Sequence, residues 1–501
     1  MYFLPQSAQA VDIEGTFTSD SDFPVNVADP SFYTLNGEAY SGGIDSDTNL
    51  TVNGTLSSVP SDYNITLAPS VTAGDLTYNL ELPANFWSKS IFTTNIDSVV
   101  SVKNFTLNLR ECSTTYPNLT FYANSNSALN VRGDFLFSDT RSSSNRYETV
   151  LSFSGNGSFA IGGNFTVDSR AVNAAEGPYN CVIFSVDSAN FTVGKILTLK
   201  NSNGDENIFR TSPSSAGTFT RTLGGLQIGQ NGMIQLGGNA ATANTTEFIF
   251  TNSEMGEYVG GLLTKSTDGE AADNKLNIKM VASDAANGRQ IMRFMTTGGW
   301  TSYDGARYSD AANALNEVEV SSGRLDLGMY GGMKGGRLMI MGYNRPSEAV
   351  FSATGAGVSG SEIGRVEFDS MSFYRGTVVF DLAEGDGDFI KVNGAMTKVS
   401  GASPLVLELN VSAYDLQAWL EASESDEWNA DLMSFATEGS NVSADDFTLK
   451  LQDGITGKLS ISELDGISTI TANLSIVPEP AEIAAAIGLA AFAFAARRRR
   501  G

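Results

Sequence analysis

The sequence predicts an all-β fold: a right-handed parallel β-helix, or solenoid, closed by a β-rich C-terminal cap and followed by a single C-terminal transmembrane helix. Three observations predict it. Short alternating segments dominate, and helical periodicity is nearly absent before residue 480. Two strand-like motifs recur at intervals of about 30 residues. The chain ends in an apolar run followed by four arginines.

Alternation is clearest in Asn104-Phe105-Thr106-Leu107-Asn108-Leu109, apolar on one face and Thr/Asn on the other. With 51 Gly and only 13 Pro, the composition suits many short strands joined by tight turns. The segments KNFTL, GDFLF, GNFTV and ANFTV place Asn or Asp at 104, 134, 164 and 190. A second line carries Phe121, Phe153 and Phe184, which are 32 and 31 residues apart. Two lines recurring together read as stacked coils, because one coil cannot bury its inward face alone. Phe then forms ladders inside and Asn forms ladders at the corners. Phe135 and Phe165 are expected in the core. The alternative is an irregular β-sandwich.

The Gly-rich middle, about 217–345, reads as further coils with longer insertions, its Gly pairs at 224–225, 237–238, 260–261 and 298–299. Helical spacing is confined to Ala311–Glu319 and to Ala413–Glu424, where Leu416, Trp419 and Leu420 share a face. From about 402 the repeat breaks into strands near 406–411, 431–436, 446–451 and 467–476. This divides the chain into a signal remnant (1–10), a solenoid body (11–401), a cap (402–476) and a C-terminal tail (477–501).

Composition excludes several chemistries. The net charge of −25 repels phosphate backbones, so nucleic acid is not an expected partner. The absence of histidine removes Ser-His-Asp and Cys-His catalysis and His-ligated zinc. Two cysteines, Cys112 and Cys181, make neither a four-thiolate site nor a disulfide framework; a mutual disulfide and two inert thiols both fit. Gly331-Gly332-Met333-Lys334-Gly335-Gly336 lacks the ending of a phosphate loop and reads as tight turns. No cofactor motif is present, and no catalytic residue is assigned.

One acidic stretch has oxygen spacing compatible with Ca²⁺: Asp381, Glu384, Asp386 and Asp388 around Gly385 and Gly387. It matches neither the EF-hand loop nor the Gly-Gly-x-Gly-x-Asp repeat, so an acidic turn between strands is the preferred reading. Twelve Asn-x-Ser/Thr sequons occur, and mostly reflect strand alternation; Asn49 and Asn64 also carry Asp47 and Asp62 two residues upstream.

The ends point to export. Ala8-Gln9-Ala10 has the small-x-small form of a signal peptidase site, yet only Met1–Leu4 stand before it as apolar residues, fewer than the 7–15 a signal peptide needs. The expectation is that the front of the signal is missing. At the other end come Val477-Pro478-Glu479-Pro480, an uncharged run of 14 residues from Ile483 to Ala496, and then Arg497, Arg498, Arg499 and Arg500. At ~1.5 Å per residue the run spans about 21 Å of a ~30 Å hydrocarbon core. It has no polar face, and snorkelling arginines bridge the deficit. The positive-inside rule makes these four arginines a cytoplasmic anchor.

This layout resembles the PEP-CTERM sorting signal of Gram-negative bacteria. The resemblance implies cleavage at Pro478-Glu479-Pro480 by an exosortase, a membrane protease-transpeptidase. It implies passage from an inner-membrane intermediate to the cell surface or matrix, in company with exopolysaccharide. The stretches Val318–Met341 and Val378–Gly394 resemble the strand repeat of autotransporter passenger β-helices, but a true autotransporter would end in a membrane β-barrel. The expected function is therefore a surface-anchored structural or matrix-interacting protein, not an enzyme. The alternatives are a β-helix polysaccharide lyase or glycoside hydrolase, which needs acidic or basic groups converging in one groove, and a carbohydrate-binding adhesin, which needs exposed aromatics.

Overall fold

The computed structural model describes residues 10–477 except 18–25, 56–64, 67–69, 83–88, 95–96, 113–117, 141, 144–146, 170–171, 174–179, 188–189, 202–205, 212–216, 238–242, 268–269, 272–273, 298–299, 302–306, 344–347 and 356–362. The fold is all-β: strands run from Val11–Phe17 to Ile467–Ile476, with one α-helix, Ala413–Ser423, among the described residues.

Most strands pair in parallel with the strand one repeat later, not with their sequence neighbour. The first ladder runs Ile13–Leu50–Leu76–Phe105–Phe135–Phe165–Leu197–Leu226 along one inward column. It continues in an adjacent column as Ile228–Tyr258–Met292–Leu327–Ala353. Another ladder carries Val71–Val100–Leu129–Phe159–Phe191 and, further on, Phe248–Ile278–Val318–Leu338–Met371–Met396. These apolar residues are buried in one cluster reaching from Ile13 to Leu474. Period-two alternation explains it, since every second side chain faces the shared core.

Aromatic stacking follows the ladders. Phe105 and Phe135 stack with centroids 4.7 Å apart, and Phe121 and Phe153 at 4.9 Å. Phe135 and Phe165 are both fully buried, as expected. Two expectations need correction. Phe184 is buried, but it pairs with Leu151 and not with Phe153, so that column is shifted by two residues. Asn190-Phe191 is not the fourth rung of the Asn104 line: Phe165 pairs with Leu197, whereas Phe191 pairs with Phe159 on the other ladder.

Arg221 occupies the inward position between Phe191 and Phe248 and is fully buried. Its guanidinium donates to the Val186 and Thr220 carbonyls at 3.1 and 3.2 Å. Burial lowers its pKa to about 10, partly offset by Asp187.

The expected helix over Ala311–Glu319 does not form; Leu315–Gly328 is a strand in which Val318 and Val320 are buried in alternation. Two of the glycine pairs lie within strands, not insertions: Gly224-Gly225 in Gly217–Leu236 and Gly260-Gly261 in Met255–Thr267. A Cβ on Gly260 would collide with the Gly232 carbonyl of the neighbouring strand, so close backbone approach requires glycine there.

Beyond 402 the expected helix forms. Ser412 caps it by accepting from the Asp415 N–H, Leu416 and Leu420 are buried, and Trp419 lies 5.3 Å from Trp428. Parallel pairing persists through Leu405–Asn410 and Phe447–Lys450. Pairing then turns antiparallel: Trp428–Ala436 and Ile455–Leu464 flank Ile467–Ile476. The strand Ile455–Leu464 adds to the expected set. Its hairpin turns at Asp465-Gly466, with φ of 52° and 77°, the pair of positive values that a two-residue turn of matching twist needs.

The apolar run 483–496 lies outside the described residues, as do Met1–Gln9. Among the described residues, no helix is long and apolar enough to cross a membrane.

Candidate functional site

The segment expected to be a sorting motif begins at Val477, directly after the last described strand. Val477 follows the strand Ile467–Ile476, and its N–H donates to the Gly454 carbonyl at 2.9 Å. Its side chain is exposed. The rest of the motif, Pro478, Glu479 and Pro480, lies outside the described residues. So do the four arginines expected to form a basic anchor, Arg497, Arg498, Arg499 and Arg500. At the other end Ala8 is also outside them, and Ala10 is exposed immediately before the first strand.

The acidic residues of 381–388 do not share a partner. Asp386 pairs with Arg365 at 2.7 Å, which lowers its pKa. Asp381 accepts from the Asn410 amide at 2.6 Å, and Glu384 is exposed. Asp388 is fully buried and accepts the N–H groups of Gly364 and Asp381 at 2.6 and 2.9 Å. The stretch is a hairpin turn, Thr377–Ala383 pairing with Asp386-Gly387. Among the described residues no group of three or more His, Cys, Asp or Glu is placed to hold a metal.

Asp388 carries a pH prediction. Burial, with Asp381 and Asp326 nearby, pushes its pKa up to about 8 against the pull of its two N–H donors. An acid raised in the folded state holds a proton there that the unfolded chain releases, so stability declines as pH rises toward that value. No histidine titrates between pH 6 and 8, because the chain has none. Across that interval the chain should lose stability at a slope of at most about 1.4 kcal/mol per pH unit. Asp388→Asn should flatten the slope in urea melts, and a flat wild-type profile would contradict this assignment.

The corner ladder is more extensive than the sequence motif suggests. Its rungs alternate Asp12, Asn49, Asp75, Asn104, Asp134, Asn164. Asn49 donates to Asp12 at 2.8 Å and Asn104 to Asp75 at 2.9 Å. Asn49, Asn104, Asp134 and Asn164 in turn accept the N–H groups of Asp75, Asp134, Asn164 and Ile196 at 2.7–3.3 Å. Alternation keeps the carboxylates two rungs, about 10 Å, apart and places an amide donor between them. Asn49 and Asn104 are thus occupied in structural bonds. Asn104→Ala should cost about 1–2 kcal/mol in urea unfolding, because it removes one donor and one acceptor from the ladder. No change would mean that the rung carries no stability.

Cys112 and Cys181 lie on strands of different ladders, opposite Leu82 and Glu148. The Gly331–Gly336 segment is a turn leading into the strand Gly335–Met341, with Gly332 at φ 84°. Of the tryptophans, Trp419 and Trp428 pack together at the cap.

Two concavities have no counterpart among the sequence motifs. One, of about 380 Å³, opens beside Glu14, Asn53, Asn79, Glu81 and Arg110 on the outward face of the first ladder. The other, of about 530 Å³, is bounded by Lys279, Glu319, Ser321 and Tyr343. Neither leaves a sequence signal, because its members come from separate strands. No family model matches the chain, and a search of curated proteins found no match.

Proposed function

We propose that the chain is an exported, surface-anchored structural or matrix-interacting protein, processed by an exosortase and associated with the cell envelope and its exopolysaccharide. In this reading the body is a right-handed parallel β-helix, a stiff acidic rod. The observation that carries it is the order of parts at the C-terminus. A final antiparallel hairpin ends at exposed Val477, and the Pro-Glu-Pro motif, apolar run and four arginines follow directly. Support for the rod comes from the parallel ladders, whose inward columns repeat from Ile13 onward. A solenoid must protect its open end, and in this reading the antiparallel strands Trp428–Ala436, Ile455–Leu464 and Ile467–Ile476 do so.

The test is protease accessibility on intact cells of the native host, with a cytoplasmic protein as control. The body is expected to be digested at the surface while the control survives. Protection of the body until the cells are lysed would overturn the reading. Solution scattering of the purified protein should give an axial ratio well above that of a compact globule.

A further inference from the structure

We propose that the cavity beside Tyr343 is a binding site for a neutral polysaccharide, with one sugar ring stacked on the Tyr343 face. The proposal rests on the reading of the chain as an envelope protein in contact with exopolysaccharide, and it gives that contact an address.

Tyr343 is 56% exposed, although the large aromatics among the described residues are otherwise mostly buried. It is held in place from behind. Its ring lies 5.1 Å from Tyr374 at 33°, and the Arg375 guanidinium sits 4.7 Å from the Tyr374 ring centre. The Tyr343 hydroxyl contacts the Met341 sulfur at 3.4 Å. An exposed ring backed by a second ring and a cation is a prepared platform, since little side-chain freedom remains to be lost on binding.

The remaining wall sets polar groups beside Val281, Ala282 and Ala285. Lys279 and Glu319 form an ion pair at 2.9 Å across adjacent strands. Ser321 donates to Glu319, and Ser283 donates to the Thr251 carbonyl at 2.8 Å. Both hydroxyl protons are therefore committed, and both oxygens present lone pairs. Lys279 has three N–H donors, and one serves Glu319. The cavity thus offers one aromatic face, several acceptors and an ammonium donor, in about 530 Å³, a volume in the range of small-molecule sites.

That set selects the ligand class. An apolar ligand would desolvate the Lys279–Glu319 pair without replacing its hydration. A polyanion meets Glu319 and Glu348 locally and a net charge of −25 overall, with Lys279 already paired. A neutral sugar satisfies both parts: its C–H face covers the ring, and its hydroxyls donate to the serine oxygens and accept from Lys279.

The experiment is affinity electrophoresis of the full chain in gels containing galactomannan, xyloglucan or hydroxyethylcellulose, with polygalacturonate as the charged comparison. Tyr343→Ala is the test variant. Tyr414→Ala is its control, because Tyr414 is 84% exposed on the cap helix and outside the cavity. Retardation by at least one neutral polymer is expected, weakened roughly tenfold in Tyr343→Ala and unchanged in Tyr414→Ala. Absence of retardation by every neutral polymer, undiminished binding by Tyr343→Ala, or equal loss in both variants would each overturn the site. A protein that reaches the surface but binds none of these polymers leaves the envelope reading standing. A protein that binds yet stays in the cytoplasm leaves the site standing and removes that reading.

Discussion

Replacing Phe165 by Asp should abolish soluble folding. Phe165 is fully buried in the first ladder and meets Phe135, Phe184 and Phe153 at centroid distances of 4.5, 5.1 and 5.6 Å. Truncating such a ring costs about 3–5 kcal/mol through lost transfer energy and cavity. Asp adds a carboxylate with no cation in its ladder column, where Phe135 and Leu197 flank it. It must either ionise unpaired or hold a proton at neutral pH, and each adds several kcal/mol. The sum reaches the total stability of an ordinary domain. Phe165→Leu keeps most of the apolar volume and should remain soluble with a lowered melting temperature. If Phe165→Asp is soluble and melts like the wild type, the inward register of this column is wrong.

The second large effect concerns the tail. Changing Arg497, Arg498, Arg499 and Arg500 together to Gln should let the protein leave the inner membrane uncleaved. Each arginine is costly to move through hydrocarbon, and the Ala-rich run 483–496 is only marginally apolar, so in the proposed reading the arginines supply much of the stop-transfer signal. Changing Pro478, Glu479 and Pro480 should have the opposite consequence: full-length protein held in the inner membrane. Fractionation of an exosortase-positive host, with blotting for tail length, separates the two. If both variants reach the surface with wild-type length and yield, the tail has no sorting role.

The legibility of the fold follows the regularity of its strand spacing. Phe105, Phe135 and Phe165 stand 30 residues apart and pair with one another, so a fixed interval finds them. The interval fails at Asn190, where identity of motif does not mean identity of position. The strand Asn190–Asn201 serves two ladders, and Leu197, not Phe191, continues the Phe165 column. Later intervals along one column are 40, 20, 33 and 25 residues, from Ile278 through Val318, Leu338 and Met371 to Met396. No single period survives that variation, and inward columns accept any apolar side chain of suitable size. The Ala311–Glu319 segment misleads because a few apolar residues fit two periodicities over a short window. The hairpin at Asp465-Gly466 is legible, since Asp-Gly between alternating segments is a turn signal.

The candidate sites divide in the same way. The motif at 477–480 is contiguous and can be read directly. The acidic stretch at 381–388 is also contiguous, yet folding gives its carboxylates different partners: Arg365, Asn410 and two backbone N–H groups. Lys279, Glu319 and Tyr343 are far apart in sequence and meet only through strand pairing and packing. Buried Arg221 has no signal either: a charged residue in a strand reads as outward-facing unless its register is known.

The intact mass of the mature protein, taken from the envelope of its native host, tests the central claim most directly. Processing by an exosortase should give a mass lacking the residues beyond the Pro478-Glu479-Pro480 motif, including Arg497, Arg498, Arg499 and Arg500. A mass that retains the chain through Gly501 would contradict it.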